Sequence, residues 1–234
     1  MKKFVKAAFG MVGLEVSRKG HKLSNPVMDY IHATRLLYFG RLSKLVEDIP
    51  GDFVECGVGR GRSLIMLLSL VRAKENGRKV WAFDSFQGFP APSPEDINRE
   101  WDNSAYINEG NWNDTSVPGL HDMLLRNGFN EQFLSDHLVI VPGFFENTME
   151  RFIGDEIALL HVDVDLYSSY ITVLGALYPK VNIGGVIACD EYGSETDLLK
   201  FPGAKLAIDQ FAGDTNSQFQ EDPVTKKHYV VKWA

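Results

Sequence analysis

At 234 residues the chain has room for one domain with a sizeable core, and 44% hydrophobic with 24% charged residues is ordinary for a globular protein. A net charge of −7 and a pI near 5.4 argue against a nucleic-acid surface, which needs a basic patch or stripe. The only two cysteines, Cys56 and Cys189, lie in apolar strand-like runs, so no disulfide framework or zinc spacing is offered and a reducing, cytoplasmic location is expected.

The chain opens with Met1-Lys2-Lys3 and an apolar middle, but Lys6 and Glu15 interrupt the apolar run and no small-residue cleavage site follows. A helical arm used for packing or a subunit contact is expected, and with it a homo-oligomer; a membrane-surface helix is the lesser alternative. No stretch is long and apolar enough to span a bilayer. A helix is predicted over residues 27–46, where Ile31, Leu36, Leu37, Phe39, Leu42 and Leu45 mix with Arg35, Arg41 and Lys44. Ile49-Pro50-Gly51 then turns the chain. Residues 1–48 therefore read as an N-terminal helical arm and residues 49–234 as one α/β domain.

A first strand at residues 52–56 runs into Gly57-Val58-Gly59-Arg60-Gly61-Arg62-Ser63 and a helix over 64–74. Glycines at alternate positions let the backbone turn tightly and approach a ligand at a helix N-terminus. A dinucleotide fingerprint, and with it an NAD-type oxidoreductase, fits poorly because Arg62 stands where the third glycine is wanted. Glu55, two residues before the first glycine, would repel a pyrophosphate and suits an amine-bearing ligand. The loop resembles the nucleotide loop of S-adenosylmethionine-dependent methyltransferases. The candidate cofactor residues here are Glu55, Gly57, Gly59, Gly61 and Ser63. A second strand, 79–83, ends in Asp84-Ser85-Phe86, where an acid can accept from both ribose hydroxyls; the plainer reading of Asp84 is a helix cap.

Residues 87–117 are rich in Pro, Gly, Asn and Asp, yet carry Trp101, Tyr106 and Trp112, which favours a lid over a disordered tract. A helix at about 119–127 and a strand at 138–141 follow, and Gly143 and Phe144 are placed to flank an adenine ring. The run 159–166 reads as a buried strand that ends in Asp163 and Asp165, whose two-residue spacing would aim both carboxylates to one side. After a helix over 169–180, a second apolar run at 185–189 ends in Asp190-Glu191. Strand, helix, strand implies a parallel pair, so four acids converge at one sheet edge. Like charges so close must hold protons or bind a cation, and an all-oxygen set suits a hard divalent ion, Mg²⁺ first; the alternative is that some merely cap helices. Helical segments at 195–200 and 204–211, then a last strand at 228–233, complete the chain.

These motifs together resemble the macrocin O-methyltransferase family over about residues 49–211. The carriers are 50–58, Asp84-Ser85-Phe86-Gln87-Gly88-Phe89-Pro90, residues 161–169 and residues 184–192. The resemblance implies a Rossmann-like seven-stranded sheet with helices on both faces and a reversed last strand. It implies methyl transfer from S-adenosylmethionine to a hydroxyl of a glycosylated small molecule. It also implies a divalent metal held by Asp163, Asp190 and Glu191, with Asp165 as general base. A phosphohydrolase, which would have Thr where Tyr167 stands, and a non-catalytic nucleotide-binding module are the remaining alternatives. His161 is expected to be half-buried and satisfied.

Overall fold

The computed structural model describes residues 29–233. Of the N-terminal arm, residues 1–28 lie outside the described residues.

A single seven-stranded sheet organises the chain, in the order β3-β2-β1-β4-β5-β7-β6. Its strands are β1 (Asp52–Cys56), β2 (Val80–Asp84), β3 (Leu138–Pro142), β4 (Ile157–Val162), β5 (Val181–Cys189), β6 (Gln220–Glu221) and β7 (His228–Val231). The pairs among β1 to β5 are parallel, and β7 runs antiparallel to both β5 and β6, so the expected reversed last strand is present. The helices of eight residues or more are α1 (Tyr30–Leu45), α2 (Arg62–Lys74), α4 (Val117–Arg126), α6 (Tyr167–Leu177) and α8 (Pro202–Thr215). Shorter ones are α3 (Ser104–Ile107), α5 (Glu131–His137) and α7 (Glu195–Lys200).

Strand parity divides the core. Val54, Cys56, Leu160 and Val162 face α6 and α8, meeting Tyr170, Val173, Ala207 and Ile208. Phe53, Ala82, Leu159 and Val186 face the other way and pack with Phe39 and Leu42 of α1, Leu64 and Leu67 of α2, and Leu120 of α4. Thus α1 is docked on the sheet by Phe39 and Leu42, both fully buried. These positions, with Arg35 four residues before Phe39, fall on one face of the helix. α5 escapes sequence reading because its seven residues hold too few apolar positions to show a period; Asn130 caps it, accepting from the Phe133 amide.

Register places the site. Cys56 pairs with Val162, and Val162 with Cys189, so three strands end level with one another. The next residue of each continues the ladder: the Asp163 amide donates to Cys56 O and the Asp190 amide to Val162 O, both at 2.9 Å. Gly57, Asp163 and Asp190 therefore stand abreast at the carboxyl edge, where parallel sheets of this kind bind ligands.

Candidate active site

A cavity of about 250 Å³ opens at that edge. Gly57, Val58, Gly59, Arg60 and Ser63 form one wall; Asp84 and Ser85 after β2, Gly88 to Pro90 and Trp112 of the lid segment, and Phe144 to Glu146 after β3 form others. Arg35, Asp163, Val164, Asp165 and Ser169 close it. Six of the ten expected cofactor residues therefore line it: Gly57, Gly59, Ser63, Asp84, Ser85 and Phe144.

The other four are not among its lining residues. Glu55 has the parity of Phe53, so its carboxylate goes under the sheet; it is fully buried and lies 3.2 Å from His161 Nδ1. Gly61 abuts Leu120 and Met123, and a side chain there would strike both. Phe86, at φ +53°, packs on the α1 side of the core, and Gly143 backs onto Thr148. Asp84 binds backbone first: Oδ2 accepts from Gly59 N at 2.8 Å and Oδ1 from Phe86 N at 2.7 Å. A carboxylate has about four acceptor sites, so capacity for ribose hydroxyls remains.

The acids reach the site by a different route from the one periodicity suggests. β4 ends at Val162, before either aspartate. Asp165 adopts φ +60°, and the Leu166 amide donates to Val164 O at 2.6 Å, closing a γ-turn with Asp165 at its centre. It is this strained turn, not strand alternation, that brings Asp165 to the cavity beside Asp163.

Two overlapping groups result. Oxygens of Asp163, Asp165 and Glu191 lie within 4.8 Å of one another, as do ligand atoms of His161, Asp163 and Asp190. Burial pushes the Asp163, Asp165 and Glu191 carboxyls up; repulsion from Asp190 pushes all three further, and Asp163 adds to the rise of Asp165 and Glu191. Glu191, 3% exposed, is met by the Tyr170 hydroxyl, which also lies 3.0 Å from Val162 O. Asp190 is the opposite case. Burial would raise it, but Lys227, His161 and Arg35 outweigh that and hold it well below the carboxylate range. Lys227 Nζ lies 2.9 Å from Asp190 Oδ2 and 2.6 Å from its carbonyl, and the Arg35 guanidinium is paired with Oδ1.

The donor chemistry fits a hard divalent cation: Asp163, Asp165 and Glu191 offer clustered oxygens, with Arg35 3.9 Å from Asp163 as the competing cation. Of the expected ligands, Asp163 and Glu191 belong to this group, whereas Asp190 is already compensated by two of the chain's own cations.

Sequence reading missed Arg35, Lys227 and Glu146. Arg35 had a signal, being four residues from Phe39 on the buried face of α1. Lys227, on the connection before β7, had none. His161 is 1% exposed, more buried than expected, and its ring meets Phe39 edge-on at 4.9 Å between centroids. Among the described residues its Nε2 has no hydrogen-bond partner, since Asp190 Oδ1 is 3.9 Å away.

The strand order, the reversed β7 and a glycine loop facing an acid cluster define a Rossmann-like methyltransferase fold. The solved O-methyltransferase NovP superposes with a TM-score of 0.69 at 27% identity, covering 86% of this chain and 80% of that one. CalS11, a calicheamicin methyltransferase, gives 0.74 at 24% identity over 98% and 92%, a likeness of fold alone.

The chain belongs to the macrocin-O-methyltransferase (TylF) family, whose profile matches residues 31–224. It is 33% identical over 170 residues to demethyldecarbamoylnovobiocin O-methyltransferase of Streptomyces niveus, covering 70% of this chain. It is 32% identical over 152 residues to mycinamicin III 3''-O-methyltransferase of Micromonospora griseorubida, covering 64%. The chain spans 59% and 58% of those two relatives' lengths.

Proposed function

We propose that the protein transfers the methyl group of S-adenosylmethionine to a hydroxyl of a small molecule, a sugar moiety being the favoured acceptor. The observation that carries this reading is one cavity lined both by the glycine loop with Asp84 and by Asp163 and Asp165. A third relative, 32% identical over 150 residues, is by name the 8-demethyl-8-(2,3-dimethoxy-alpha-L-rhamnosyl)-tetracenomycin-C 4'-O-methyltransferase of Streptomyces olivaceus, and its rhamnosyl acceptor supports a sugar moiety here. An NAD-type oxidoreductase has no such support.

In this reading the Gly57 to Ser63 loop cradles the methionine portion of the donor, Asp84 holds the ribose and Phe144 flanks the adenine. Trp112 and Pro90 wall off water. Asp165 lines the cavity with its carboxyl pushed up by burial and Asp163, which suits a group that accepts a proton from the acceptor hydroxyl. Asp163, Glu191 and, if Arg35 yields, Asp190 would hold a divalent ion, Mg²⁺ first. When bound, such an ion supplies the Lewis acidity that makes an alcohol easier to deprotonate. Residues 1–48 as an N-terminal helical arm that packs on the domain through α1, a homo-oligomer and a cytoplasmic location remain part of the proposal. Among the described residues no helix is long and apolar enough to cross a membrane.

The test combines calorimetric titration with S-adenosylhomocysteine and a methyl-transfer assay over sugar-bearing acceptors, with and without chelator. Asp163→Ala and Asp190→Ala are expected to abolish divalent-dependent turnover. Full activity of both variants, or in excess chelator, contradicts the metal; tight binding with no turnover on any acceptor favours a non-catalytic module.

A further inference from the structure

The helix that follows the acid turn lacks a cap of its own. α6 begins at Tyr167, its N-cap is Leu166, and no side chain of that residue can receive the free amides at the helix start. The cap comes from elsewhere in the chain. Asp96, in the lid segment and 0% exposed, accepts from the Tyr167 amide through Oδ1 at 2.7 Å, across 71 residues of sequence. Its Oδ2 accepts from the Ser93 amide at 2.8 Å and the Ser93 hydroxyl at 2.9 Å. Asn103 Nδ2 donates to Asp96 O and to Lys200 O, each at 2.8 Å, and so ties this part of the lid to α7. Gly203, in the first turn of α8, makes the room: a Cβ there would stand 2.1 Å from Asp96 Oδ1.

We propose that Asp96 is a positioning residue for the reaction, fixing the Tyr167 amide and through it the strained turn that presents Asp165. A non-glycine residue at φ +60° in a γ-turn costs free energy and persists only where its surroundings over-determine it. The turn is held on one side by the Asp163 amide on Cys56 O and on the other by the Tyr167 amide on Asp96. Only Leu166 separates Asp165 from that amide. With the Asp96 bond gone, the Asp165 peptide can relax toward an ordinary φ, which swings its carboxylate away from the cavity. The donor side is untouched, because the glycine loop and Asp84 are held by other elements. The lid thereby gains a purpose beyond covering the cavity: its carboxylate sets the geometry of the proposed base. The catalytic arm of this inference rests on the function proposed above.

The experiment compares the full chain with Asp96→Ala and Asp96→Asn, measuring kcat, KM, affinity for S-adenosylhomocysteine and amide hydrogen exchange at Leu166 and Tyr167. Asp96→Ala is expected to lower kcat by about 10²-fold, the cost of a displacement near 1 Å in a reacting group, with affinity for S-adenosylhomocysteine unchanged. Asp96→Asn keeps an oxygen for the Tyr167 amide but turns an Nδ2 donor toward the Ser93 amide, and is expected to give a kcat between those of the wild type and Asp96→Ala. In the wild type the Tyr167 amide is expected to be protected, although it is the first of its helix, and to lose protection in Asp96→Ala. An unprotected wild-type amide overturns the proposal even if Asp96→Ala fails to fold. So does an unchanged kcat, a parallel loss of kcat and of S-adenosylhomocysteine affinity, or an Asp96→Asn variant as slow as Asp96→Ala. A wild type that neither binds S-adenosylhomocysteine nor transfers methyl overturns the proposed function itself, and the positioning role falls with it.

Discussion

Replacing Arg35 by glutamine should make the site bind a divalent cation more tightly. The guanidinium is paired with Asp190 and lies 3.9 Å from Asp163 Oδ2 on a side chain that is 23% exposed. Two unit charges about 4 Å apart interact by about 1 kcal/mol in bulk water and about 4 kcal/mol at an effective dielectric near 20. A partly wet site falls between, so about 1.5–3 kcal/mol of competition is removed, equivalent to roughly 10- to 100-fold in affinity at about 1.4 kcal/mol per decade. Arg35→Lys keeps the charge and should track the wild type, which separates electrostatics from packing. The assay is calorimetric titration of Mg²⁺ and Mn²⁺ at fixed ionic strength. The reasoning fails if Arg35→Gln binds either ion no better than wild type. It also fails if Arg35→Lys improves binding as much as Arg35→Gln does, because then the charge is not the competitor.

Asp165→Gly should abolish turnover while raising stability by about 1 kcal/mol, since glycine takes φ > 0 without penalty; denaturant melts beside the methyl-transfer assay would show the two effects diverging. Phe39→Ala should cost about 3–5 kcal/mol by chemical denaturation, as expected for a fully buried aromatic that holds α1 on the sheet; a loss below about 1 kcal/mol would mean α1 is dispensable to the core. His161 is pushed up to about 9: burial opposes this, but Asp190 and Glu55 outweigh it. A raised folded pKa means its contribution is complete below about pH 6.5 and is lost as pH climbs through 9, by at most about 3 kcal/mol. Urea titrations at several pH values should show that decline, with Glu55→Gln making it shallower; an equal slope in the variant would remove Glu55 as a cause.

The strands were legible because their apolar runs end in residues of a different kind. β1 stops at the glycine loop and β2 at Asp84, and β5 stops at Asp190-Glu191, where the backbone leaves the sheet. Where such a contrast was lacking, prediction slipped. β4 was carried past Val162 because Val164 continues the alternation, although the chain has already turned. Glu55 stands beside the glycine loop in sequence, but its side chain belongs to the strand interior, where it faces His161. Asp96 and Lys227 come to the site from the lid and the β6–β7 connection. Long-range pairs of this sort leave no period or spacing in a single sequence.

The close approach of β1 and β4 explains why the first glycine of the loop cannot be read as a donor-binding residue alone. Gly57 has φ +86°, and a Cβ there would come within 1.7 Å of Asp163 O, a backbone atom that cannot step aside. Its amide is at the same time held by Phe83 O at 2.9 Å, so the residue cannot retreat toward β2. The glycine is therefore demanded by the acid strand even before any ligand enters. Because the Asp163 amide in turn donates to Cys56 O, the end of β1 and the start of the acid turn form one rigid piece. A shift of the loop toward a bound donor would carry Asp163 with it. The donor wall and the acid wall of the cavity are thus coupled through this close backbone approach and the Asp163–Cys56 hydrogen bond, which ties the spacing between methyl donor and acceptor to the register of two strands.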